Sequence, residues 1–139
     1  MDCIAAPIGG GGLIAGSCLA APLRVKILGA EPKNVDDAAR SLQTGVHAPA
    51  PKGETIADGL RTRLGERAFR ILRRRKIDVE TVEEEAIVEA MRFVWERTKL
   101  LIEASSAVPL AALFNKKTTY QHVGVIVSGG NVDLSTLPF

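Results

Sequence analysis

The 139 residues contain little cysteine, little histidine and no long apolar run. Cys3 and Cys18 are the two cysteines and form no CxxC pair, so the sequence predicts neither a disulfide framework nor a zinc site. No apolar run approaches the roughly 20 residues of a membrane span, and the first residues lack the basic region of a secretory signal. We therefore expect a cytoplasmic protein with reduced thiols and no membrane partner.

Aromatic residues are also scarce, at 4% of the chain, and the net charge is only +2. Cations are nevertheless concentrated between residues 61 and 76, where Glu66 is the single acid. Because Phe69 is the only aromatic side chain there that can stack on a base, the pattern favours a solvated helix face, and no nucleic-acid partner is expected. The cations are Arg61, Arg63, Arg67, Arg70, Arg73, Arg74, Arg75 and Lys76.

The most informative feature that is present is a run of four glycines, Gly9, Gly10, Gly11 and Gly12. It follows an apolar stretch that is typical of a buried strand and precedes a run that is typical of a helix. Backbone without Cβ atoms can turn several N–H groups toward one point, and a helix start adds unpaired donors and a positive dipole end. The run predicts a phosphate-binding loop; a flexible tight turn is the alternative.

Apolar strand patterns alternate with helical patterns, which predicts an α/β fold of three layers around a mostly parallel sheet. Ligands of such sheets bind at the carboxyl ends of strands, so the glycine run and the turn 128–131 are expected to face one site. The predicted strands are 2–7, 24–30, 77–79 and 122–127. The predicted helices run from the glycines to about residue 21, over 36–44 and 66–75, from a capping box at Thr81 and Glu84 through Leu101, and from Ser105 or Ser106 to Phe114.

A dinucleotide-binding Rossmann unit that takes NAD is a second interpretation of the glycine run. Gly10, Gly12 and Ala15 fit the pattern G-x-G-x-x-A after a strand, and Glu31 ends the next strand, where an acid would bind a ribose. The match is weak, because four consecutive glycines satisfy such a pattern easily. It also leaves the second glycine turn unexplained.

Five ordered blocks, spread over nearly the whole chain, carry a more specific resemblance. They are PIGGGGLIAG at 7–16, AEPxNxDD at 30–37, ETIADG at 54–59, VWERxKLLIE at 94–103 and SGGNVD at 128–133. With these blocks the chain resembles the C-terminal part of fold-type II pyridoxal-phosphate enzymes of the serine racemase and threonine/serine dehydratase group. The resemblance implies the large-domain fold of tryptophan synthase β, pyridoxal 5′-phosphate as cofactor, and serine or threonine as the amino-acid substrate.

The resemblance assigns cofactor contacts to six residues. It implies that the backbone N–H groups of Gly9, Gly10, Gly11, Gly12 and Leu13 hold the phosphate, which agrees with the interpretation of the glycine run. It also implies that Ser128 Oγ hydrogen-bonds the pyridine nitrogen. A neutral hydroxyl leaves that nitrogen largely unprotonated and the ring a weaker electron sink, which suits β-elimination and racemisation of small hydroxy amino acids.

A divalent-cation site is implied as well. Glu31, the backbone carbonyl of Val35, and Asp37 match the family's ligands, and such hard oxygen donors suit Mg²⁺, or Ca²⁺ or Mn²⁺. From the residues alone, Asp36 and Asp37 are equally well interpreted as charges at a helix N-terminus.

Lys99 and Asn131 match residues that contact ATP between subunits in the nucleotide-regulated members of the family. The resemblance therefore implies ATP as an effector at these two positions. A solvated lysine at the end of an amphipathic helix is the alternative.

The family's catalytic lysine, which forms the Schiff base with the cofactor and stands in a Ser-x-Lys context, is among the family elements that have no counterpart. None of the seven lysines stands in that context. We therefore expect residues 1–139 to be a single partial domain, the C-terminal half of the catalytic domain, without the lysine-bearing half or the small domain. No catalytic residue is assigned within it, and the chain is expected to be inactive alone.

Three interpretations remain open at this point besides the minor alternative of an NAD-binding Rossmann unit. The chain is half of a pyridoxal-phosphate-dependent serine/threonine ammonia-lyase (dehydratase) or serine racemase, expected as a homodimer. Alternatively it is an inactive decoy or regulatory subunit that pairs with a full-length homologue. The third possibility is a truncated reading frame of an ordinary enzyme.

Overall fold

The structure is a computed structural model that describes residues 1–115 and 119–139. Within these residues, four β-strands are connected by one or two α-helices each, five helices in all. The strands are β1 (Cys3–Pro7), β2 (Lys26–Pro32), β3 (Asp78–Val82) and β4 (Val123–Val125). The helices are α1 (Gly12–Ala20), α2 (Asp37–Thr44), α3 (Glu66–Arg75), α4 (Glu84–Thr98) and α5 (Ala104–Asn115), and short 3-10 turns occur at Lys33–Val35, Asp58–Leu60 and Leu134–Thr136.

The strands form one parallel sheet in the order β3-β2-β1-β4. β1 pairs on both sides, with Cys3 opposite Lys26 of β2 and opposite Val123 of β4. The chain leaves β1 toward β2, whereas β4 adds to the opposite side of β1. The carboxyl end of β1 is therefore a switch point in strand order, where open α/β sheets bind their ligands.

Helices cover both faces of the sheet. α1, α2 and α3 pack on one face, around buried side chains that include Ile14, Ile27 and Leu72. α4 and α5 pack on the other face, around side chains that include Val82 and Ile87. The predicted three-layer α/β fold is thereby confirmed. Among the described residues, no helix combines the length and the apolar character that crossing a bilayer requires.

β1 consists largely of small residues because both of its faces are covered. Ala6 is fully buried in the cluster that contains Ile8, and Ala5 is fully buried against Leu28 on the opposite face. Successive side chains of a strand point to opposite faces, so these alanines let α1 and α5 approach the sheet from both sides. Burial on both faces is typical of parallel strands.

The predicted capping box is wrong. Thr81 lies inside β3, where it pairs with β2, and α4 begins only at Glu84, after Glu83. The carboxylate of Glu84 instead accepts a hydrogen bond from the Ile56 N–H at 2.9 Å. Pairing between neighbouring strands has therefore overridden the local helix-start signal.

Several other boundaries differ from the prediction. α5 begins at Ala104, so Ser105 and Ser106 lie within its first turn, and α4 ends at Thr98, before Leu101. β2 and β3 both extend further toward their carboxyl ends than predicted, and β4 covers only 123–125. The helix after the glycines ends at residue 20, close to the expected position.

The cations between residues 61 and 76 bind mainly to the chain itself. Arg75 donates to three backbone carbonyls within residues 22–25, at 2.8 to 3.3 Å. Arg73 donates to the Gly45 carbonyl at 3.1 Å, and Arg63 to the Ala48 carbonyl at 2.9 Å. These contacts give the arginines a structural role.

Candidate functional site

Glycines 9–11 form the loop between the carboxyl end of β1 and α1. Gly11 has a φ of +83° and immediately precedes the first helical residue, Gly12. A Cβ atom at Gly11 would lie 2.6 Å from both the Ala68 Cβ and the Leu64 Cδ1. Backbone conformation and packing against α3 therefore both require glycine here, and the loop is a fixed turn.

The loop leaves space beside its N–H groups. The Gly10 carbonyl accepts a hydrogen bond from the Gly65 N–H at 3.0 Å, which anchors the loop to the start of α3. A Cβ atom at Gly12 would meet nothing within 4 Å, and one at Gly10 would meet only Thr62 Cγ2, at 3.9 Å. The N–H groups of the first helical turn have no acceptor inside the helix, so they are available to an anion together with the positive end of the α1 dipole.

A cavity of about 190 Å³ joins this loop to the turn that follows β4. β1 and β4 are adjacent parallel strands, so their carboxyl ends meet at one edge of the sheet. The cavity wall includes all six cofactor contacts predicted from the sequence: Gly9, Gly10, Gly11, Gly12, Leu13 and Ser128. The structure therefore brings the two glycine turns to a single site, as expected.

The hydroxyl of Ser128 contacts the hydroxyl of Ser106, a residue of the first turn of α5. Ser106 is 1% exposed, and its Oγ lies 3.1 Å from Ser128 Oγ. Ser106 Oγ also accepts a hydrogen bond from the Gly129 N–H and donates one to the Gly129 carbonyl, both at 2.8 Å. Sequence reasoning missed this contact, because a serine that precedes a helical pattern is usually interpreted as an N-cap.

Glu103 fixes the same turn from another direction. Its N–H donates to the Gly129 carbonyl at 3.1 Å, and its carboxylate accepts from the Asn131 N–H at 3.0 Å. A Cβ atom at Gly129 would lie 2.9 Å from both carboxylate oxygens of Glu103, so the close approach depends on glycine. The turn 128–131 is thus attached firmly to the start of α5.

No lysine lines this cavity in the part of the chain that the structure describes. Lys116 and Lys117 belong to the three residues, 116–118, that lie outside it. The glycine loop fits the phosphate of pyridoxal 5′-phosphate, because it offers N–H donors, a helix dipole and space that a Cβ atom is not filling. The covalent attachment point for the cofactor is not among the described residues around it.

The residues predicted to hold a cation lie at the carboxyl end of β2. Glu31 and Asp37 are each 1% exposed. The two carboxylate oxygens of Glu31 accept hydrogen bonds from the N–H groups of Ala38 and Ala39, at 3.0 and 2.8 Å, in the first turn of α2. Glu31 does not line the cavity beside the glycine loop, so the dinucleotide interpretation, which needs both on one ligand, is not supported.

The pKa of Glu31 is raised to about 8, first by burial and in smaller part by the neighbouring charge of Asp37, against the opposing effect of the two backbone N–H donors. Burial also raises the pKa of Asp37, while the Leu64 N–H donor lowers it. Two buried carboxylates, one of which disfavours the charge of the other, are a suitable environment for a divalent cation. Val35, which lies between Glu31 and Asp37 in the sequence, is also buried. The described residues contain no group of three or more histidine, cysteine or acidic side chains placed to bind a metal ion, so such a cation would also need the Val35 carbonyl and water.

Lys99 and Asn131, the predicted nucleotide contacts, have separate environments. Lys99 caps the end of α4 with a φ of +63°, and its Nζ donates to the Glu96 carbonyl at 2.8 Å. Asn131 lines a different cavity of about 340 Å³, whose wall also includes Glu103 and Asp133. Nothing in these contacts joins the two residues, and the ATP site stays a prediction.

Comparison with known proteins agrees with this geometry. A family model described as pyridoxal-phosphate dependent enzyme matches residues 1–129. The chain belongs to this family, which confirms the resemblance that the five sequence blocks carry.

Two curated relatives show which members of this family the chain is similar to. The chain is 45% identical over 147 residues to a serine racemase of Dictyostelium discoideum, a match that covers 99% of this chain and 45% of that protein. It is 39% identical over 145 residues to the beta-hydroxyaspartate dehydratase of Paracoccus denitrificans, covering 100% of this chain and 46% of that protein. The chain therefore spans somewhat less than half the length of these relatives.

Solved structures of enzymes from this family superpose on the chain. Maize serine racemase superposes with a TM-score of 0.93 at 43% identity, covering 98% of this chain and 44% of that one. The T.th. threonine deaminase superposes with a TM-score of 0.89 at 43% identity, covering 97% of this chain and 52% of that one. The fold predicted from the sequence, that of fold-type II pyridoxal-phosphate enzymes, is confirmed.

Proposed function

We propose that this chain provides the cofactor-phosphate half of a pyridoxal-phosphate-dependent enzyme that eliminates ammonia from, or racemises, a small hydroxy amino acid. The observation that carries the proposal is the shared cavity, in which the glycine loop at the start of α1 faces Ser128 after β4. The names of its relatives, serine racemase, beta-hydroxyaspartate dehydratase and threonine deaminase, support this class of substrate.

Each part of the cavity has a distinct role in this proposal. The backbone N–H groups of the loop bind the phosphate, and the positive end of the α1 dipole faces its negative charge. The donors are those of Gly9, Gly10, Gly11, Gly12 and Leu13. The hydroxyl of Ser128 contacts the pyridine nitrogen and, being neutral, does not hold a proton on it. When bound, pyridoxal phosphate supplies an electron sink for charge that develops on the substrate.

The proposal requires a lysine from outside the cavity wall, because none of the chain's seven lysines stands in the family's Ser-x-Lys context. We propose that a lysine-bearing half completes the site, and that the chain alone binds the cofactor without turning over substrate. A homodimer, or a pair with a full-length homologue, is the expected assembly. In the pair, this chain would act as a regulatory subunit or decoy.

The same proposal includes a divalent cation, Mg²⁺ or alternatively Ca²⁺ or Mn²⁺, held by Glu31, Asp37 and the Val35 carbonyl. Its support is the buried pair of carboxylates at the end of β2. A cation there would join the end of β2 to the start of α2 and stabilise the fold. ATP as an effector has less support, because the Lys99 ammonium donates to the Glu96 carbonyl and Lys99 does not line the cavity that Asn131 lines.

Cofactor binding is testable on the chain as it stands. Pyridoxamine 5′-phosphate is the appropriate probe, because it has no aldehyde and cannot condense with surface lysines. Equilibrium dialysis should show saturable binding to the wild-type chain. The matched variant is Gly10→Asp: a Cβ atom at this position would meet only Thr62 Cγ2, at 3.9 Å, and a carboxylate here adds a negative charge beside the proposed phosphate site. We expect at least about tenfold weaker binding, or ~1.4 kcal/mol. Equal binding by both proteins would refute the assignment of the glycine loop.

The reaction class needs a second experiment. The chain should be combined with the lysine-bearing half of the Dictyostelium discoideum serine racemase, and loss of L-serine, formation of D-serine and release of ammonia should be followed. Activity that depends on both halves and disappears with Gly10→Asp supports the proposed enzyme. A stable pair without activity would favour the regulatory function instead.

A further inference from the structure

The hydrogen atoms of Ser106 and Ser128 can be arranged in two ways around the same heavy-atom positions. A serine hydroxyl donates one hydrogen and can accept two. If Ser106 donates to the Gly129 carbonyl at 2.8 Å, Ser128 can donate to Ser106 across their 3.1 Å contact. If Ser106 donates to Ser128, the hydrogen of Ser128 is free to point into the cavity. The two arrangements differ only by rotation of the hydroxyl groups.

The backbone of the turn limits both arrangements. In each of them Ser106 Oγ accepts from the Gly129 N–H at 2.8 Å, so the turn keeps its position while the hydrogens change. The Glu103 N–H donates to the same Gly129 carbonyl at 3.1 Å, so this carbonyl retains a donor when Ser106 turns away. The second arrangement therefore keeps both backbone groups of Gly129 paired and leaves only the Ser128 hydrogen without an acceptor in this described network.

We infer that Ser106 is a positioning residue that holds Ser128 and directs its hydrogen toward the ring nitrogen of bound pyridoxal phosphate, an inference that rests on the proposed function. An unprotonated pyridine nitrogen only accepts hydrogen bonds, so it selects the arrangement in which Ser128 donates into the cavity. Ser106 then donates to Ser128, and a hydroxyl that accepts a hydrogen bond becomes a stronger donor. The buried serine thereby strengthens a contact that it does not make itself.

The ring and the phosphate of the cofactor would be held by different elements of the fold. Ser106 supports the turn after β4, whereas the phosphate end is held by the loop after β1, on another strand. Replacing Ser106 should therefore weaken binding of the ring and leave binding of a free phosphate ion unchanged. A merely structural role, in which the whole cavity loosens, would weaken both.

The test compares the wild-type chain with Ser106→Ala, using pyridoxamine 5′-phosphate and inorganic phosphate as separate probes. We expect the affinity for pyridoxamine 5′-phosphate to fall about tenfold and the affinity for phosphate to change by less than about twofold. The ¹⁵N chemical shift of the ring nitrogen in labelled, bound pyridoxamine 5′-phosphate should move toward the value of a nitrogen without a donor. Ser106→Thr, which keeps the hydroxyl, should restore the wild-type shift.

A neighbouring serine provides the control for the backbone of the turn. Ser105 is 3% exposed, and its Oγ has no hydrogen-bond partner among the described residues. Amide hydrogen exchange at Gly129 should accelerate about tenfold or more in Ser106→Ala and stay unchanged in Ser105→Ala. Acceleration in both variants would mean that α5 has loosened generally, and would overturn the inference.

The remaining outcomes are distinguishable. If the wild-type chain binds pyridoxamine 5′-phosphate and Ser106→Ala binds it equally well, the inference is wrong and the proposed function stands. If Ser106→Ala loses both probes to the same extent, the role of Ser106 is structural only. If the wild-type chain itself does not bind pyridoxamine 5′-phosphate, the proposed function fails, and the inference fails with it.

Discussion

The carboxylate of Asp37 accepts a hydrogen bond from the Leu64 N–H at 2.8 Å, and both residues are buried. This bond joins the start of α2 to the segment that leads into α3. Asp36, the preceding residue, pairs with Arg40 at the surface, at 2.7 Å. Two adjacent aspartates that look equivalent in the sequence therefore have different structural roles.

We predict that Asp37→Ala lowers the free energy of unfolding by about 1–3 kcal/mol, because it leaves a buried N–H group without an acceptor. Asp36→Ala is the matched control and should cost less than about 1 kcal/mol, the range of a surface ion pair. Urea denaturation of both variants without added metal measures the difference. Equal losses would show that the buried hydrogen bond contributes nothing specific.

Gly11 and Gly12 are a second pair of adjacent residues, and substitution by alanine is expected to have opposite effects on stability at the two positions. Gly11→Ala requires a left-handed conformation and places a methyl group 2.6 Å from side chains of α3 and the segment before it, so it should cost about 2–4 kcal/mol of stability. Gly12→Ala meets no atom within 4 Å and lies in a helix, so it should be neutral or stabilise by up to about 1 kcal/mol. Thermal and urea unfolding report both. A Gly11→Ala variant as stable as Gly12→Ala would contradict the packing of the loop on α3.

The cation proposal predicts a change of stability with metal. At a Mg²⁺ or Ca²⁺ concentration about 100 times its Kd, the wild-type chain should gain about 2.7 kcal/mol of stability, and a chelator should reverse the gain. Glu31→Gln should remove this dependence. Glu89, which is exposed on α4, supplies the control: Glu89→Gln should keep the full dependence. If the wild-type melting temperature is indifferent to all three of Mg²⁺, Ca²⁺ and Mn²⁺, these carboxylates are not a metal site.

The parts of the site that the sequence predicted are those that depend on backbone chemistry within one segment. Four glycines between a strand and a helix favour an anion-binding loop over a flexible turn without knowledge of the fold, and this role of Gly9–Gly12 stays a prediction. Ser128 came from the resemblance, and so did the divalent-cation role of Glu31. The α/β alternation was then sufficient to predict that Ser128 and the glycines share an edge of the sheet.

The parts that the sequence did not predict depend on contacts between distant segments. Thr81 has the residue type and spacing of a helix cap, but the register of β3 on β2 extends the strand through it. Ser106 also has the residue type of a cap, and only the approach of the turn after β4 gives its hydroxyl three contacts. Local patterns contain no information about such approaches, because they are determined by tertiary packing.

The sheet order has a consequence for how the protein acquires its fold. β1 and β4 are neighbours in the sheet although they lie far apart along the chain, and the Asp2 carboxylate accepts hydrogen bonds from the N–H groups of Gln121 and His122. Contacts between residues so far apart in sequence form slowly, because a long loop must close first. During synthesis on the ribosome, β1 therefore cannot pair with β4 until the helices between them have emerged. Until β4 arrives, one edge of β1 has no neighbouring strand, and an unpaired strand edge is a template for aggregation.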